Sequence, residues 1–151
     1  MNKSRTIGVW LVFILFLIDR LLKQIALHLP ASVSDDFFYF TPYLNKAGPF
    51  SLSIPSIFLI IIAALVLIWL TYLCWQFFKI KNLSRLLGSS LMLIGGFSNF
   101  WDRLLVGGVV DVWYLSFYTG LNFNLADIYL SIGVLILVLS YYQPLTTKPI
   151  S

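Results

Sequence analysis

The sequence predicts an all-α polytopic membrane protein that forms a single integral membrane domain over residues 1–151. Hydrophobic residues make up 60% of the chain and charged residues only 11%, and a soluble domain of this length cannot cover such an apolar content with polar surface. Four apolar runs approach or reach the roughly 20 residues that a helix needs to cross a hydrocarbon core about 30 Å thick. We place these predicted spans at about 7–29, 56–78, 86–105 and 125–142.

The first span follows a short basic amino terminus and carries charged residues near its end. A secretory signal peptide begins in the same way, but no small-residue cleavage site follows this apolar run, so we expect a retained helix. Asp19 and Lys23 are four residues apart and share a helix face, with the acid before the base. They form either a neutralising pair near a helix end or part of a site, with Lys23 reaching to the interface and Asp19 orienting groups there.

The other spans differ in polarity, and two outer segments separate them. The second span carries no charge, whereas the third is the most polar of the four. The outer segments cover about 30–55 and 106–124. The first contains strand-like pieces at 37–40 and 50–54, and the second is rich in β-branched and aromatic residues with a turn signal at Thr119-Gly120.

The distribution of charge predicts the orientation in the membrane. The amino terminus, the loop after the second span and the tail contain no acid, and their basic residues are Lys3, Arg5, Lys79, Lys81, Arg85 and Lys148. Since basic residues accumulate on the cytoplasmic side, we expect both termini to be cytoplasmic. By parity, the end of the third span and the start of the fourth then lie at the outer face. This topology predicts that four acids meet at one membrane boundary: Asp19, Asp102, Asp111 and Asp127.

Composition also excludes several kinds of chemistry. The chain has one cysteine, Cys74, and one histidine, His28. A disulfide within the chain, Cys–His nucleophilic chemistry and most zinc sites are therefore excluded, and we expect no metal and no cofactor. The net charge is +4, but the basic residues form no aromatic-interleaved patch, so we expect no nucleic-acid partner.

The end of the third span carries a polar face within apolar sequence. Gly95, Asn99 and Asp102 recur at helical spacing, and glycines here allow a neighbouring backbone to approach closely. The helix dipole opposes an acid at the carboxyl end. Asp102 therefore needs a compensating partner, which either Arg103 or Lys23 can supply. These residues either scaffold the site or contact a substrate directly.

Two further aspartates flank the second outer segment. Asp111 follows a strand-like run and, taken alone, reads as a solvated loop acid. Asn124 and Asp127 resemble a helix start, with Asn124 as the cap and Asp127 in the first turn. Two aspartates that face each other can share one proton, because close like charges cannot both ionise. The ionised member can then deprotonate a water while the protonated member polarises a scissile carbonyl.

Five short motifs follow one another along almost the whole chain. They are Asp19-x-x-x-Lys23, Asn45-Lys46-Ala47-Gly48-Pro49-Phe50, Gly95-Gly96-x-x-Asn99-x-x-Asp102-Arg103, Gly107-x-Val109-x-Asp111 and Phe123-Asn124-x-Ala126-Asp127. In this order they resemble the motifs of the bacterial lipoprotein signal peptidases, the signal peptidase II family. Two positions differ from that pattern, since Ala47 and Ser98 stand where the family commonly has glycine.

The resemblance implies an intramembrane aspartic endopeptidase of the bacterial cytoplasmic (inner) membrane. It implies prolipoprotein substrates with a diacylglyceryl-modified cysteine, cleaved before that cysteine at the outer face, and contact with membrane lipid. Asp111 and Asp127 are expected to be the catalytic dyad. The residues expected to bind substrate or support the dyad are Asp19, Lys23, Asn45, Gly48, Asn99, Asp102, Arg103, Asn124 and Ala126. The outer segments are expected to form a β platform and a lid loop.

Two other interpretations come from different functional classes. The first is a non-cleaving relative that binds lipidated or signal-like helices, and the altered second motif is its support. The second is a small transporter or proton-conducting subunit that uses intramembrane carboxylates. Clustering of the acids at one boundary disfavours this second alternative, since a relay needs them across the bilayer. Retention of both Asp111 and Asp127 favours the enzyme.

Overall fold

A computed structural model describes residues 3–30, 37–47, 54–116 and 121–142. Its four helices are α1 (Lys3–His28), α2 (Ser56–Lys79), α3 (Leu83–Val106) and α4 (Leu125–Tyr142). Its three strands are β1 (Phe38–Asn45), β2 (Val109–Leu115) and β3 (Leu121–Phe123). The predicted architecture of four helices with a small sheet in the outer segments is confirmed. α1 and α3 begin one turn earlier than the hydropathy indicated, because their first turns are polar.

The sheet is antiparallel in the order β1-β2-β3. β1 extends beyond the predicted piece to Asn45, with an irregularity between Phe40 and Tyr43 where the chain contains Pro42. Proline cannot donate to a strand ladder and is tolerated at such bulges. The pairing of Asn45 with Val109 brings the end of β1 beside the start of β2. Of the second predicted strand piece, 50–53 lie outside the described residues and Ile54 is not in a strand.

α3 is the central helix and contacts α1, α2, α4 and β2. Its backbone lies so close to α4 that a Cβ atom at Gly95 would be 2.5 Å from the carbonyl oxygen of Ala126. The predicted packing role of Gly95 is therefore confirmed, and it fixes the start of α4 against α3. α3 ends at Gly107, which adopts a left-handed conformation with φ of 74°. Glycine takes this conformation without steric cost and allows the chain to turn into β2.

Several charged and polar side chains are buried in this protein, whereas many large apolar side chains are exposed. The largest fully buried side chains include Lys23, Asp19, Asp102, Asp111 and Asn124. Large apolar side chains instead cover the outside of the helices, including Leu65, Ile68 and Trp69 on α2. Soluble monomers rarely expose contiguous apolar surfaces of this extent. By length and composition alone, α2 and α4 are the two described helices that are apolar enough to cross a membrane.

Candidate active site

The fold brings together the four aspartates that the sequence predicts to converge. Asp19 lies on α1, Asp102 near the end of α3, Asp111 on β2 and Asp127 in the first turn of α4. The first three are buried and Asp127 is partly buried. They form two connected groups, a pair of carboxyls held by asparagines and a cluster of buried charges behind it.

Asn124 contacts both carboxyls of the pair. Its Nδ2 donates to Oδ1 of Asp111 over 2.9 Å, and its Oδ1 accepts from the backbone N–H of Asp127 over 3.1 Å. Its own backbone N–H donates to Oδ2 of Asp127 over 3.1 Å. This reciprocal arrangement is a capping box with aspartate in the acidic position, so the predicted helix start is confirmed. One fully buried residue thus joins Asp111 and Asp127.

Two more asparagines complete the surroundings of the pair. Nδ2 of Asn45 donates to Oδ2 of Asp111 over 3.2 Å, and Nδ2 of Asn99 donates to Oδ1 of Asp127 over 2.8 Å. Oδ1 of Asn45 in turn accepts from the backbone N–H of Ala47 over 3.1 Å. Each of the four carboxyl oxygens therefore accepts one hydrogen bond, which orients both groups without adding a charge next to them.

Burial raises the pKa of Asp111 from its ordinary value of 3.8 to about 6. The negative charge of Asp127 acts in the same direction, while hydrogen bonds from Asn124 and Asn45 and the positive charge of Lys23 oppose the shift. Loss of solvation disfavours the charged form of a carboxyl, and a neighbouring carboxylate disfavours it further. Asp111 therefore retains its proton at pH values where an exposed aspartate is ionised.

This shift makes the stability of the protein depend on pH. Because the folded chain holds a proton on Asp111 that the unfolded chain loses between about pH 4 and 6, the wild-type free energy of unfolding falls across this window. Asp111→Asn removes that titration. As pH rises through this window, the wild type should therefore lose up to about 3 kcal/mol of unfolding free energy that the variant does not lose.

Thermal or denaturant unfolding in detergent from pH 4 to 7 measures this difference. Ser131→Ala is a suitable control, because Ser131 is an exposed residue on α4 with no titrating group. The difference in unfolding free energy between Ser131→Ala and wild type should stay constant with pH. A constant difference for Asp111→Asn as well would contradict the raised pKa.

Behind the pair lies a charge cluster formed by Asp19, Arg20, Lys23 and Asp102. Nζ of Lys23 lies 2.8 Å from Oδ2 of Asp102 and 3.3 Å from Oδ2 of Asp19. It also donates to Oδ1 of Asn99 over 2.8 Å. Nη1 of Arg20 forms an ion pair with Oδ1 of Asp102. Two positive and two negative charges therefore compensate one another, and the predicted Asp19–Lys23 pair is confirmed.

The partner of Asp102 differs in part from the prediction. Lys23 and Arg20 form its ion pairs, and within the described part of the chain Arg103 forms none with it. Arg103 instead donates from Nη2 to the carbonyl oxygen of Ala47 over 3.4 Å. Adjacent helical residues point in different directions, so neighbours in sequence do not face each other. Of the two predicted alternatives, Lys23 is confirmed as a partner of Asp102, and Arg103 forms no ion pair with it for this reason.

The two acids of the cluster each hold the backbone next to one member of the pair. Oδ2 of Asp102 accepts from the N–H of Val110 over 3.3 Å, and Oδ1 of Asp19 accepts from the N–H of Ala126 over 3.0 Å. Val110 directly precedes Asp111, and Ala126 directly precedes Asp127. The cluster therefore fixes both segments that carry the paired carboxyls.

Sequence reasoning did not select Arg20 and noted Ser98 only as a departure from the family pattern, although both residues belong to this network. Ser98 donates a short hydrogen bond to Oδ2 of Asp19 and accepts from Nη1 of Arg20 over 3.1 Å. The sequence signal for Arg20 was a third charged residue, beside Asp19 and Lys23, within the otherwise apolar run of α1. Gly48, the remaining predicted site residue, lies outside the described residues.

An apolar cleft opens beside the pair. It has a volume of about 570 Å³ and lies between α2, α3 and α4, with Asn99 and Arg103 among its lining residues. Its other walls are almost entirely aliphatic, with Leu67 on α2, Met92 on α3 and Leu130 on α4. In the described ranges no group of three or more His, Cys, Asp or Glu side chains is placed to hold a metal ion.

Comparison with solved structures shows the class to which this fold belongs. A bacterial membrane enzyme determined by the in meso method at 2.3 Å resolution is similar, with a TM-score of 0.78 and 25% identity, covering 97% of this chain and 93% of that one. A second such structure, at 1.9 Å resolution, has a TM-score of 0.76 and 27% identity, covering 92% and 94%. The fold is that of a bacterial membrane enzyme.

Sequence comparison gives the family. A family model described as signal peptidase (SPase) II matches residues 11–143, and the chain belongs to this family. The lipoprotein signal peptidase of Streptococcus pneumoniae is 33% identical over 145 residues, covering 91% of this chain and 94% of that protein. The lipoprotein signal peptidase of Lactiplantibacillus plantarum is 33% identical over 135 residues, covering 85% and 89%. The protein is a peptidase that removes signal peptides from prolipoproteins.

Proposed function

We propose that the protein is an intramembrane aspartic endopeptidase with Asp111 and Asp127 as its catalytic dyad. It cleaves diacylglyceryl-modified prolipoproteins before the lipidated cysteine. The observation that carries this proposal is that Asn124 hydrogen-bonds both carboxyls, while burial and the charge of Asp127 raise the pKa of Asp111 to about 6. A carboxyl with a raised pKa beside a second carboxyl can hold the single proton that aspartic proteolysis requires.

The dyad needs only a water molecule to cleave a peptide bond. The ionised carboxyl takes a proton from the water, whose oxygen attacks the scissile carbonyl carbon, while the protonated carboxyl donates a hydrogen bond to the carbonyl oxygen. The tetrahedral intermediate then collapses, the C–N bond breaks, and a carboxyl proton passes to the leaving nitrogen. The amide ligands keep both carboxyls oriented through these transfers without a permanent positive charge that would hold the dyad fully ionised.

The remaining predicted site residues divide into support and substrate contact. Asn45, Asn99 and Asn124 orient the dyad, and Asp19, Lys23, Asp102 and Ala126 fix the segments that carry it. Arg103 lines the cleft, and we assign Arg103 and Gly48 to binding of the substrate. No metal and no cofactor enters this mechanism.

The apolar cleft supports binding of the hydrocarbon part of the substrate. Its aliphatic walls offer no hydrogen-bonding groups deep in the bundle, whereas Asn99 and Arg103 stand at the end next to the dyad. A substrate whose hydrocarbon part fills the cleft therefore has its peptide backbone within reach of the carboxyls. Pockets of this kind bind apolar groups over most of their surface and orient them with a few polar groups.

The proposed topology is a single integral membrane domain over residues 1–151 with four transmembrane helices and both termini in the cytoplasm. The basic loop between α2 and α3, with Lys79 and Lys81, and the positive-inside rule support this orientation. The dyad, the β platform and the lid loop then lie at the outer face of the cytoplasmic membrane. Asp19, Lys23 and Asp102 are protected from lipid within the bundle, as intramembrane charges must be.

The substrate proposal is tested with one prolipoprotein in two forms, with and without the diacylglyceryl group on its cysteine. Binding energy from a remote part of a substrate contributes to the reaction rate. We therefore expect kcat/KM for the unmodified form to be lower by about 100-fold or more. Mass spectrometry should place the new amino terminus of the modified product at the lipidated cysteine. Equal rates for both forms, or cleavage elsewhere, would contradict the proposed substrate.

A further inference from the structure

Arg20 makes its polar side-chain contacts with the described part of the chain through one nitrogen, Nη1. Nη1 pairs with Oδ1 of Asp102, donates to Oγ of Ser98 over 3.1 Å and approaches the carbonyl oxygen of Ser98 at 3.4 Å. Arg20 is the most exposed member of the charge cluster, with 22% of its side chain accessible. It pairs with Oδ1 of Asp102, whereas Lys23, whose side chain is fully buried, pairs with Oδ2.

The hydroxyl of Ser98 can point its proton in only one direction. Oγ lies near three partners, Nη1 of Arg20, Nζ of Lys23 at 3.5 Å and Oδ2 of Asp19. The two cations have only protons to donate, whereas a hydroxyl offers one donor and two acceptor lone pairs. Ser98 must therefore accept from both cations and donate to Asp19. All of its hydrogen-bonding capacity is used.

This fixed hydroxyl has a consequence at the other carboxyl oxygen of Asp19. Oδ2 of Asp19 is occupied by Ser98 and Lys23, so Oδ1 faces the N–H of Ala126 at 3.0 Å. That N–H belongs to the first turn of α4 and directly precedes Asp127. A second route runs through the amide of Asn99, whose Oδ1 accepts from Nζ of Lys23 and whose Nδ2 donates to Oδ1 of Asp127, with both hydrogen bonds at 2.8 Å.

We propose that Arg20 and Ser98 are positioning residues for the reaction, which set the place of Asp127 through Asp19 and through the Lys23–Asn99 contact. This inference rests on the proposed dyad. Neither side chain touches the paired carboxyls, and neither was selected by the sequence motifs. Arg20 satisfies one oxygen of Asp102, which leaves Lys23 able to reach Asn99 as well as the two acids.

Removal of Arg20 leaves the two acids with a single cation. Lys23 then has to compensate Asp19 and Asp102 together, and its contact with Asn99 competes with this demand. The hydroxyl oxygen of Ser98 also loses the hydrogen bond from Arg20, which helps to direct its proton toward Asp19. Both changes displace Asp127 without removing any group that contacts the substrate, so kcat should fall while KM stays near the wild-type value. Small displacements of catalytic groups cost up to about 100-fold in rate.

The test measures kcat and KM for a diacylglyceryl-modified prolipoprotein with purified Arg20→Met, Arg20→Lys and Ser98→Ala. We expect Arg20→Met and Ser98→Ala each to lower kcat by about 10- to 100-fold. Arg20→Lys should recover most of the activity, because one ammonium with three protons can replace the contacts that Nη1 makes. The Arg20→Met/Ser98→Ala double variant should lose less kcat than the product of the two single losses, because Arg20 acts in part through the hydroxyl of Ser98.

Arg85→Met is the matched control. Arg85 lies near the start of α3, stacks on the ring of Tyr141 at 4.1 Å and donates to the carbonyl oxygen of Ser140. Its loss should lower the melting temperature but leave kcat unchanged. Asp127→Asn in the same assay separates the two proposals: if it is active, the dyad itself is wrong. If it is inactive while Arg20→Met keeps wild-type kcat, or if Arg85→Met loses as much kcat as Arg20→Met, the positioning role is refuted.

Discussion

Asp111→Asn and Asp127→Asn should each lower the rate of prolipoprotein cleavage by about 100- to 10,000-fold, the contribution that general acid–base groups make. An amide at either position has nearly the shape of the acid, but it can neither take a proton from water nor hold the shared proton. Each amide can still accept one of the two hydrogen bonds that the carboxyl accepts now. The fold should therefore persist, and substrate should still bind in the apolar cleft.

The measurement is kcat with saturating substrate, together with the melting temperature of each variant. Ser131→Ala is the matched control on α4, one turn after Asp127, where the hydroxyl bonds only the backbone oxygen of Asp127 at 2.8 Å. It should cleave at the wild-type rate. Activity within about tenfold of wild type for either asparagine variant would leave no general acid–base role of the expected size for that carboxyl.

Lys23→Met should produce the largest loss of stability. The side chain of Lys23 is fully buried, and its ammonium compensates Asp19 and Asp102. Methionine fills similar space but leaves Asp102 with Arg20 alone and removes the ion pair of Asp19. Breaking a buried ion pair by removing one partner costs about 3–5 kcal/mol, which in a chain of this size lowers the melting temperature by roughly 10 °C or more.

Thermal unfolding in detergent measures this loss, and a second lysine provides the control. Lys79 lies at the end of α2, with its ammonium 4.5 Å from the ring centroid of Trp75. Lys79→Met should change the free energy of unfolding by about 1 kcal/mol or less. Asp19→Asn combined with Lys23→Met should restore part of the stability, because Lys23 forms the ion pair of Asp19 whereas Asp102 keeps Arg20. A Lys23→Met variant as stable as Lys79→Met would show that the cluster does not depend on its buried lysine.

Features that depend on one helix or one turn could be predicted from the sequence. The Asp19–Lys23 pair follows from helical spacing alone, and the start of α4 follows from Asn124 and Asp127 three residues apart. The packing of Gly95 against α4 follows from a small residue on a polar helix face. The meeting of four aspartates was predicted from the expected number of spans and the side on which each was expected to end.

Features that depend on how two helices face each other could not be predicted in this way. Asp102 pairs with Arg20 because α1 and α3 present these side chains to each other, and no local pattern specifies that rotation. Arg103 was the nearer candidate in sequence, but it points toward Ala47. The extension of β1 to Asn45 depends on its pairing with β2, which is also a tertiary contact.

The most direct test of the dyad compares wild type with Asp127→Asn on one diacylglyceryl-modified prolipoprotein, recording both binding and cleavage. Wild type should release the signal peptide with a cut immediately before the modified cysteine. Asp127→Asn should bind the same substrate with an affinity close to wild type and leave it intact. Cleavage by Asp127→Asn at the wild-type rate, with the same product, would contradict the assignment of Asp127 to an aspartic dyad.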